Sequence, residues 1–152
     1  MGTKIAYERV DGGVSIVQPS AVFIETGKPL SEMKGYPKNA EKVIEVETGD
    51  IPQDRTFRNA WKLDGEKLKV DMGLALALAQ DNIRAKRSDP FKQLDNEWFK
   101  ATESGDESEV ERVKTAKNKL RDAPEDARLL RAKTPDEMKR LMGLIVEEIN
   151  QT

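Results

Sequence analysis

The chain has 152 residues, enough for one domain of ordinary size or for two small units that bury a core without disulfides. It contains no cysteine and no histidine, which excludes disulfides, zinc fingers, thiol catalysis and His-based catalytic triads. With 26 Lys and Arg and 28 Asp and Glu, the net charge is −2, which argues against bulk electrostatic attraction to nucleic acid.

The N-terminal part of the chain is predicted to be rich in β-strands. Two runs of roughly alternating apolar and polar residues, 4–10 and 14–17, flank a turn that contains Asp11 and Gly12. Asp-Gly between two such runs is a strong signal of a β-hairpin, whose type I′ turn would need a positive φ at both central residues. The following residues, 19–41, are rich in Gly and Pro and predict a long loop with one turn of helix.

A third strand and a second hairpin are predicted further along this part of the chain. The apolar pattern at 43–46 is typical of a strand, and the runs 57–63 and 67–70 flank Asp64 and Gly65 as in the first hairpin. We expect all of these strands to lie in one antiparallel sheet. Apart from the single turn in the loop, we expect helices only beyond them.

From Asp71 onward, apolar residues recur at helical spacing. Both Asp106 and Thr134 are followed three residues later by a glutamate, and Pro135 follows Thr134 directly. These patterns are typical of capped helix starts, and Asp71 and Asp89, the latter followed by Pro90, are further predicted caps. The predicted helices cover about 72–87, 90–103 and 107–122, a short one lies near 125–131, and the last begins at 135.

The sequence therefore predicts an α+β fold with two regions. Residues 1–70 would form a small antiparallel β-sheet of two hairpins and an extra strand, and residues 71–152 would form a bundle of three to four helices. The last helix carries an apolar stripe, which we expect to pack on the helical hairpin of residues 89–122 or on a neighbouring subunit. The stripe consists of Met138, Leu141, Met142, Ile145 and Ile149.

Common catalytic and phosphate-binding motifs do not occur in the sequence. It contains neither G-x-x-x-x-G-K-[ST] nor G-x-G-x-x-G nor G-x-S-x-G. We interpret the many Asp and Glu residues as helix caps and surface charge, because a catalytic pair needs two acids that converge in a desolvated cleft. We therefore predict no catalytic residue, no cofactor and no metal site, and we expect a protein that is not an enzyme.

Two groups of basic residues, at 84–92 and 112–121, are candidates for nucleic-acid contact. The second group spreads over more than one helical face, and acids at 106–111 precede it. Negative charge at the start of a helix and positive charge at its end complement the helix dipole, which explains the pattern without nucleic acid. The longest apolar run, 73–79, is too short to cross a bilayer, and no signal peptide is predicted. We expect neither nucleic acid nor a membrane as a partner.

Residues 54–61 contain two aromatic side chains, two arginines and an asparagine in a chain that is only 5% aromatic. On a strand, Phe57, Asn59 and Trp61 would share one face. Either Phe57 and Trp61 belong to the core of the sheet, or the segment is an interface patch, since Trp and Arg are enriched in binding hot spots. Phe99 poses the same question, because it and the preceding tryptophan cannot both face one core stripe. The predicted partner-contact residues are Arg55, Arg58, Trp61 and Phe99.

Nine segments, spread over nearly the whole chain, carry a resemblance to a known group of proteins. They are residues 4–7, 11–17, 51–52, 54–61, 70–72, 82–84, 91–95, 119–124 and 134–138. Through them the chain resembles small proteins encoded in tailed bacteriophages and prophages near tail or tail-fibre genes. The helical part is also similar to phage tail assembly chaperones, in which an apolar and aromatic helix precedes a Leu-Arg-Asp-x-Pro segment.

The resemblance implies a role in a bacteriophage. The implied function is that of a non-enzymatic structural or virion-accessory protein, associated with the tail or tail fibres and acting through protein–protein contacts. Such a protein is made in the host cytoplasm and located in the virion. Its partners would be other phage structural proteins, with self-association as a further expectation. The alternative is a tail or tail-fibre assembly chaperone that is absent from the mature virion.

Overall fold

The computed structural model of the protein describes residues 2–151, and the chain divides into two compact units between Asp71 and Met72. We call the part up to Asp71 the sheet unit and the part from Met72 onward the helical unit. The strands precede the long helices in the chain, so the α+β class is confirmed. Within residues 2–151, no helix combines the length and the apolar character needed to span a membrane.

The sheet unit contains an antiparallel sheet of three strands in the order β2-β1-β3. In the hairpin between β1 and β2, the backbone N–H of Gly12 donates to the carbonyl of Arg9 at 2.9 Å. Gly12 has a φ of 84°, while Asp11 keeps a negative φ. The hairpin is confirmed but its type I′ turn is wrong, because glycine alone takes the positive φ that is costly for other residues. The strands are β1 (Thr3–Glu8), β2 (Val14–Val17) and β3 (Val43–Glu47).

The second hairpin is also confirmed, but it forms a separate sheet of two strands, β4 (Trp61–Asp64) and β5 (Lys67–Val70). The expected single sheet is therefore wrong. Trp61 and Leu63 alternate along β4 and are both buried, so stacking this hairpin on the first sheet buries both side chains at once. Pairing at the edge of the first sheet would not do so.

The two sheets share one apolar core. Ala6, Val14 and Val46 come from the first sheet, and Trp61 and Leu63 come from the second. Burial of a large apolar side chain contributes roughly 1.5–3 kcal/mol, so the tryptophan and the leucine are the main contributions of the second sheet to this core.

The sheet unit also contains helical turns besides the expected one, so the prediction of helices only beyond the strands is wrong. Helix α1 (Ala21–Glu25) begins after Ser20, whose hydroxyl accepts a hydrogen bond from the N–H of Phe23 at 3.2 Å. Every side chain of α1 is at least partly exposed. Its formation therefore depends on a local cap and leaves no apolar stripe in the sequence. Short 3-10 turns occur at Leu30–Glu32, near the expected helical turn, and at Thr48–Asp50 and Arg58–Ala60.

The helical unit follows the predicted order of helices, and the predicted caps at Asp106 and Thr134 are confirmed. The side chains of Asp106 and Thr134 accept hydrogen bonds from the N–H groups of Glu109 and Glu137, both at 3.1 Å. Pro135 occupies the first turn of the last helix. The helices are α2 (Met72–Lys86), α3 (Ser88–Ser104), α4 (Glu107–Asp122), α5 (Ala127–Arg131) and α6 (Pro135–Asn150). The predicted cap at Asp89 is wrong, because α3 begins at Ser88 and Asp89 lies inside its first turn.

Helices α3 and α4 form a hairpin, but α6 packs mainly against α2 and α5. Of the two predicted partners of α6, the hairpin of residues 89–122 is therefore wrong, and a neighbouring subunit stays a prediction. The stripe itself is confirmed, since four of its residues are buried and Met142 is half-buried. Helix α2 buries the side chains of Ala75, Ala79 and Ile83. An apolar stripe indicates which residues are buried, but it does not say which helix they meet.

Candidate functional site

A pocket of about 380 Å³ in the sheet unit brings together three of the four predicted partner-contact residues. Two of them are arginines, Arg55 and Arg58, and the third is Trp61. We call this site the arginine pocket. It is lined by Lys4, Ile16, Gln18, Thr48, Ile51, Pro52, Gln53, Arg55, Arg58 and Trp61.

A tight local turn places the two arginines side by side. The carboxylate of Asp54 accepts hydrogen bonds from the N–H of Thr56 at 2.9 Å and from its hydroxyl at 2.6 Å. This motif is an Asx-turn, which bends the chain at Arg55. The carbonyl of Arg55 then accepts from the N–H of Arg58 at 3.1 Å. The two side chains therefore leave the backbone from one turn.

This turn also corrects the strand that we expected at 57–63. Residues Arg58–Ala60 form a 3-10 turn, and the strand begins only at Trp61. Phe57 and Trp61 are buried, at 5% and 1% exposure, whereas Asn59 is exposed. The three residues do not share one strand face. The assignment of Phe57 and Trp61 to the core is confirmed, and the role of the segment as an interface stays a prediction.

Trp61 lines the arginine pocket although it is only 1% exposed. The guanidinium carbon of Arg58 lies 5.0 Å from the centre of the Trp61 ring, a cation–π contact that orients the arginine. The indole N–H of Trp61 is buried and has no acceptor among residues 2–151. A buried donor without a partner costs about 1–3 kcal/mol.

Positive charge dominates the arginine pocket. Lys4, Arg55 and Arg58 line it, and none of its described lining residues is acidic. Within the described part of the chain, neither arginine forms an ion pair. The pKa of Arg58 is lowered from its ordinary value, first by burial and then by repulsion from Arg55 and Arg9. The pocket therefore favours a negatively charged ligand.

The fourth predicted contact residue, Phe99, belongs to the helical unit. Its side chain is 68% exposed on α3. The neighbouring Trp98 is half-buried, and the ammonium of Lys117 lies 5.6 Å from its ring. As expected, the tryptophan is the more buried of the two side chains and the phenylalanine faces solvent.

A second pocket, of about 360 Å³, lies in the helical unit and is lined by several acids, among them Asp126 and Glu148. Arg128 contacts both carboxylates, at 2.9 Å and 2.7 Å. The hydrogen bonds from Arg128 lower the pKa of both acids. Because these acids already have a cationic partner, this cluster has a structural role in joining α5 to α6.

Sequence reasoning missed Lys4 as a pocket residue. It lies on β1 and reaches the pocket only because β1 is the central strand of the first sheet. Its position within an alternating strand gave no signal of that role. Within residues 2–151, no group of three or more Asp and Glu side chains is placed to hold a metal ion.

Comparisons of the chain with protein-family models, with curated proteins and with solved structures find no match.

Proposed function

We propose that this protein is a non-enzymatic structural or virion-accessory protein of a tailed bacteriophage, which acts through protein–protein contacts in the tail or tail fibres. The phage context comes from the sequence resemblance. The observation that supports docking is the convergence of Arg55, Arg58 and Trp61 on one pocket. Arginine and tryptophan carry much of the binding energy where they are desolvated at the centre of an interface.

The composition of the arginine pocket fits a protein partner. Its cationic groups lie beside the apolar side chains of Ile16, Ile51 and Pro52. Protein interfaces combine an apolar centre with a few oriented polar groups in this way. The cation–π contact of Arg58 holds its guanidinium in place before a partner arrives, which lowers the entropy lost on binding.

The alternative function is that of a tail or tail-fibre assembly chaperone that leaves before the virion is complete. The observation that favours it is Phe99, because a large aromatic side chain that is 68% exposed can hold an apolar segment of an unassembled client. The helical unit, which contains Phe99, is also the part that resembles phage chaperones.

Mass spectrometry of purified virions separates the two functions. A structural or accessory protein should be present in a fixed ratio to the major tail proteins. Complete absence from virions, together with copurification of a tail or fibre protein from infected cells, would favour the chaperone. Absence from both would contradict both functions.

Single substitutions test the docking function in infected cells. We expect Arg58→Ala and Phe99→Ala to lower the yield of infectious particles while the folded structure, checked by circular dichroism, is retained. Arg140→Ala and Leu130→Ala are matched controls, since both residues are exposed and lie outside the arginine pocket. If both test variants assemble at wild-type yield while a single Asp or Glu substitution abolishes function, docking is wrong and an active site must be sought.

A further inference from the structure

We infer that the arginine pocket binds a carboxylate of a partner protein, with Arg55 and Arg58 as the groups that bind it. The choice of a protein as the source of the carboxylate rests on the proposed docking function. The binding of a carboxylate itself does not, because it follows from the pocket alone.

The first argument is charge. Lys4, Arg55 and Arg58 line one pocket in which no described lining residue is acidic. Like charges held close together repel, and repulsion from Arg55 is one cause of the lowered pKa of Arg58. An anion in the pocket removes this repulsion, whereas a neutral or cationic ligand does not.

The second argument is geometry. A guanidinium presents paired N–H donors in a plane, which matches the two oxygens of a carboxylate. The guanidinium of Arg58 is fixed over the ring of Trp61, at 5.0 Å from its centre. Arg55 is exposed and leaves the same turn, so it can approach the anion from the solvent side. One arginine is thus oriented in advance and the other is free to close on the ligand.

The third argument is the wall of the pocket. Phosphate sites commonly present backbone N–H groups from a glycine-rich loop or from the start of a helix. Here the wall is formed by Ile16, Ile51 and Pro52, beside the neutral amides of Gln18 and Gln53. This wall suits the methylene groups that carry a carboxylate in Asp or Glu. The volume of about 380 Å³ lies within the range of about 300–1,000 Å³ that is usual for ligand sites.

The two tryptophans of the chain provide the test. Trp61 lines the pocket, while Trp98 belongs to the helical unit. The experiment records the indole N–H resonances of the full-length ¹⁵N-labelled protein while a blocked peptide, Ala-Ala-Glu-Glu-Ala-Ala, is added. We expect the Trp61 resonance to shift in a saturable way and the Trp98 resonance to stay. The same peptide with Gln in place of Glu and inorganic phosphate are the comparison ligands.

Substitutions assign the binding to the two arginines. We expect Arg55→Met to lower the affinity for the acidic peptide at least about tenfold, because a charge-assisted contact is lost. Arg58→Lys keeps the charge but loses the planar pair of donors, and it should also weaken binding. Arg55→Met is the cleaner variant, since Arg58 also packs on Trp61. Lys67→Met is the matched control, because it removes a cation from the same unit outside the pocket.

Each outcome decides a separate point. An unchanged Trp61 resonance, equal binding of the Gln peptide, or full binding by Arg55→Met would overturn the carboxylate site. Phosphate that binds more tightly than the acidic peptide would overturn a protein as the source of the anion. If the acidic peptide binds as expected but Arg58→Ala leaves phage yield unchanged, the carboxylate site stands and the proposed docking function fails.

Discussion

The two arginines of the arginine pocket differ from three arginines of the helical unit in what they contact. In the helical unit, Arg84, Arg112 and Arg128 each contact two carboxylates. In the sheet unit, Arg55 and Arg58 contact none among residues 2–151 and lie together in a pocket. The same type of side chain therefore joins elements at Arg84, Arg112 and Arg128 and is left available for a ligand at Arg55 and Arg58.

The paired arginines share a common arrangement. Each contacts one carboxylate of a residue two or three positions earlier in the chain and a second carboxylate of a distant element. Arg128, for example, contacts Asp126 at 2.9 Å and Glu148 of α6 at 2.7 Å. Arg112 contacts Glu109 at 2.6 Å and Glu97 of α3 at 2.5 Å. The near carboxylate orients the arginine, and the far one ties two helices together.

Other arginines, such as Arg87 and Arg131, also form no ion pair within residues 2–151, so what distinguishes Arg55 and Arg58 is that they line one pocket together. Asp and Glu outnumber Lys and Arg, 28 to 26, so partners are available in the sequence. The free arginines of the pocket are therefore a property of the local fold and do not reflect a shortage of acids.

The largest expected effect concerns the apolar core of the helical unit. Ile145 is 2% exposed, and Ile145→Ala should lower the free energy of unfolding by about 2–5 kcal/mol, because it removes a buried side chain and leaves a cavity. Leu144→Ala is the matched control, because Leu144 is 37% exposed. Urea unfolding followed by circular dichroism measures both. A smaller cost for Ile145→Ala than for loss of a paired arginine would show that ion pairs stabilise this unit more than its core.

An intermediate effect is expected for a paired arginine. Arg128→Met should lower the free energy of unfolding by about 1 kcal/mol, the upper end for ion pairs that are partly exposed. Arg131→Met is the control, since Arg131 donates only a long hydrogen bond of 3.4 Å to the carbonyl of Ala127. Equal effects of the two substitutions would show that the pairing of Arg128 contributes nothing.

The same pair predicts a dependence on pH. Arg128 lowers the pKa of Asp126 and of Glu148 below their ordinary values of 3.8 and 4.5. A carboxylate with a lowered pKa in the folded protein stabilises it above the ordinary pKa, and this contribution is lost as the pH falls. The free energy of unfolding of wild type should therefore exceed that of Arg128→Met by about the same amount as expected above at pH 7, and by much less at pH 3. A difference that grows at low pH would contradict the assigned pairing.

The smallest expected effect is for an arginine of the pocket. Arg55→Met should change the free energy of unfolding by less than about 0.5 kcal/mol, as at an exposed position without partners. Thermal and urea unfolding of the free protein measure this value. A loss comparable with that of Arg128→Met would mean that Arg55 has a stabilising partner in solution. Arg55 and Arg128 would then not differ in the way described above.

Local signals in the sequence predicted much of the fold. Gly12 and Gly65 mark both hairpins, because only glycine adopts their positive φ without strain. Asp106 and Thr134 mark helix starts, because their side chains accept hydrogen bonds from the first turn. Each of these features depends on contacts between residues a few positions apart, which is why the sequence alone was sufficient.

Several failed predictions depend on contacts between distant segments or on weak local structure. The stacking of the second hairpin on the first sheet depends on where Trp61 and Leu63 find an apolar surface. The packing of α6 on α2 and α5 depends on which helices face each other. Helix α1, with its exposed side chains, has no apolar periodicity from which it could be predicted.

For the candidate site, the sequence by itself determined which residue types are concentrated at 54–61, and hence the selection of Arg55, Arg58 and Trp61. Only the tertiary structure decided that Lys4 joins them and that no described lining residue is acidic. The residue types of one segment are given directly by the sequence. The charge around a side chain depends instead on every segment that folding brings near it.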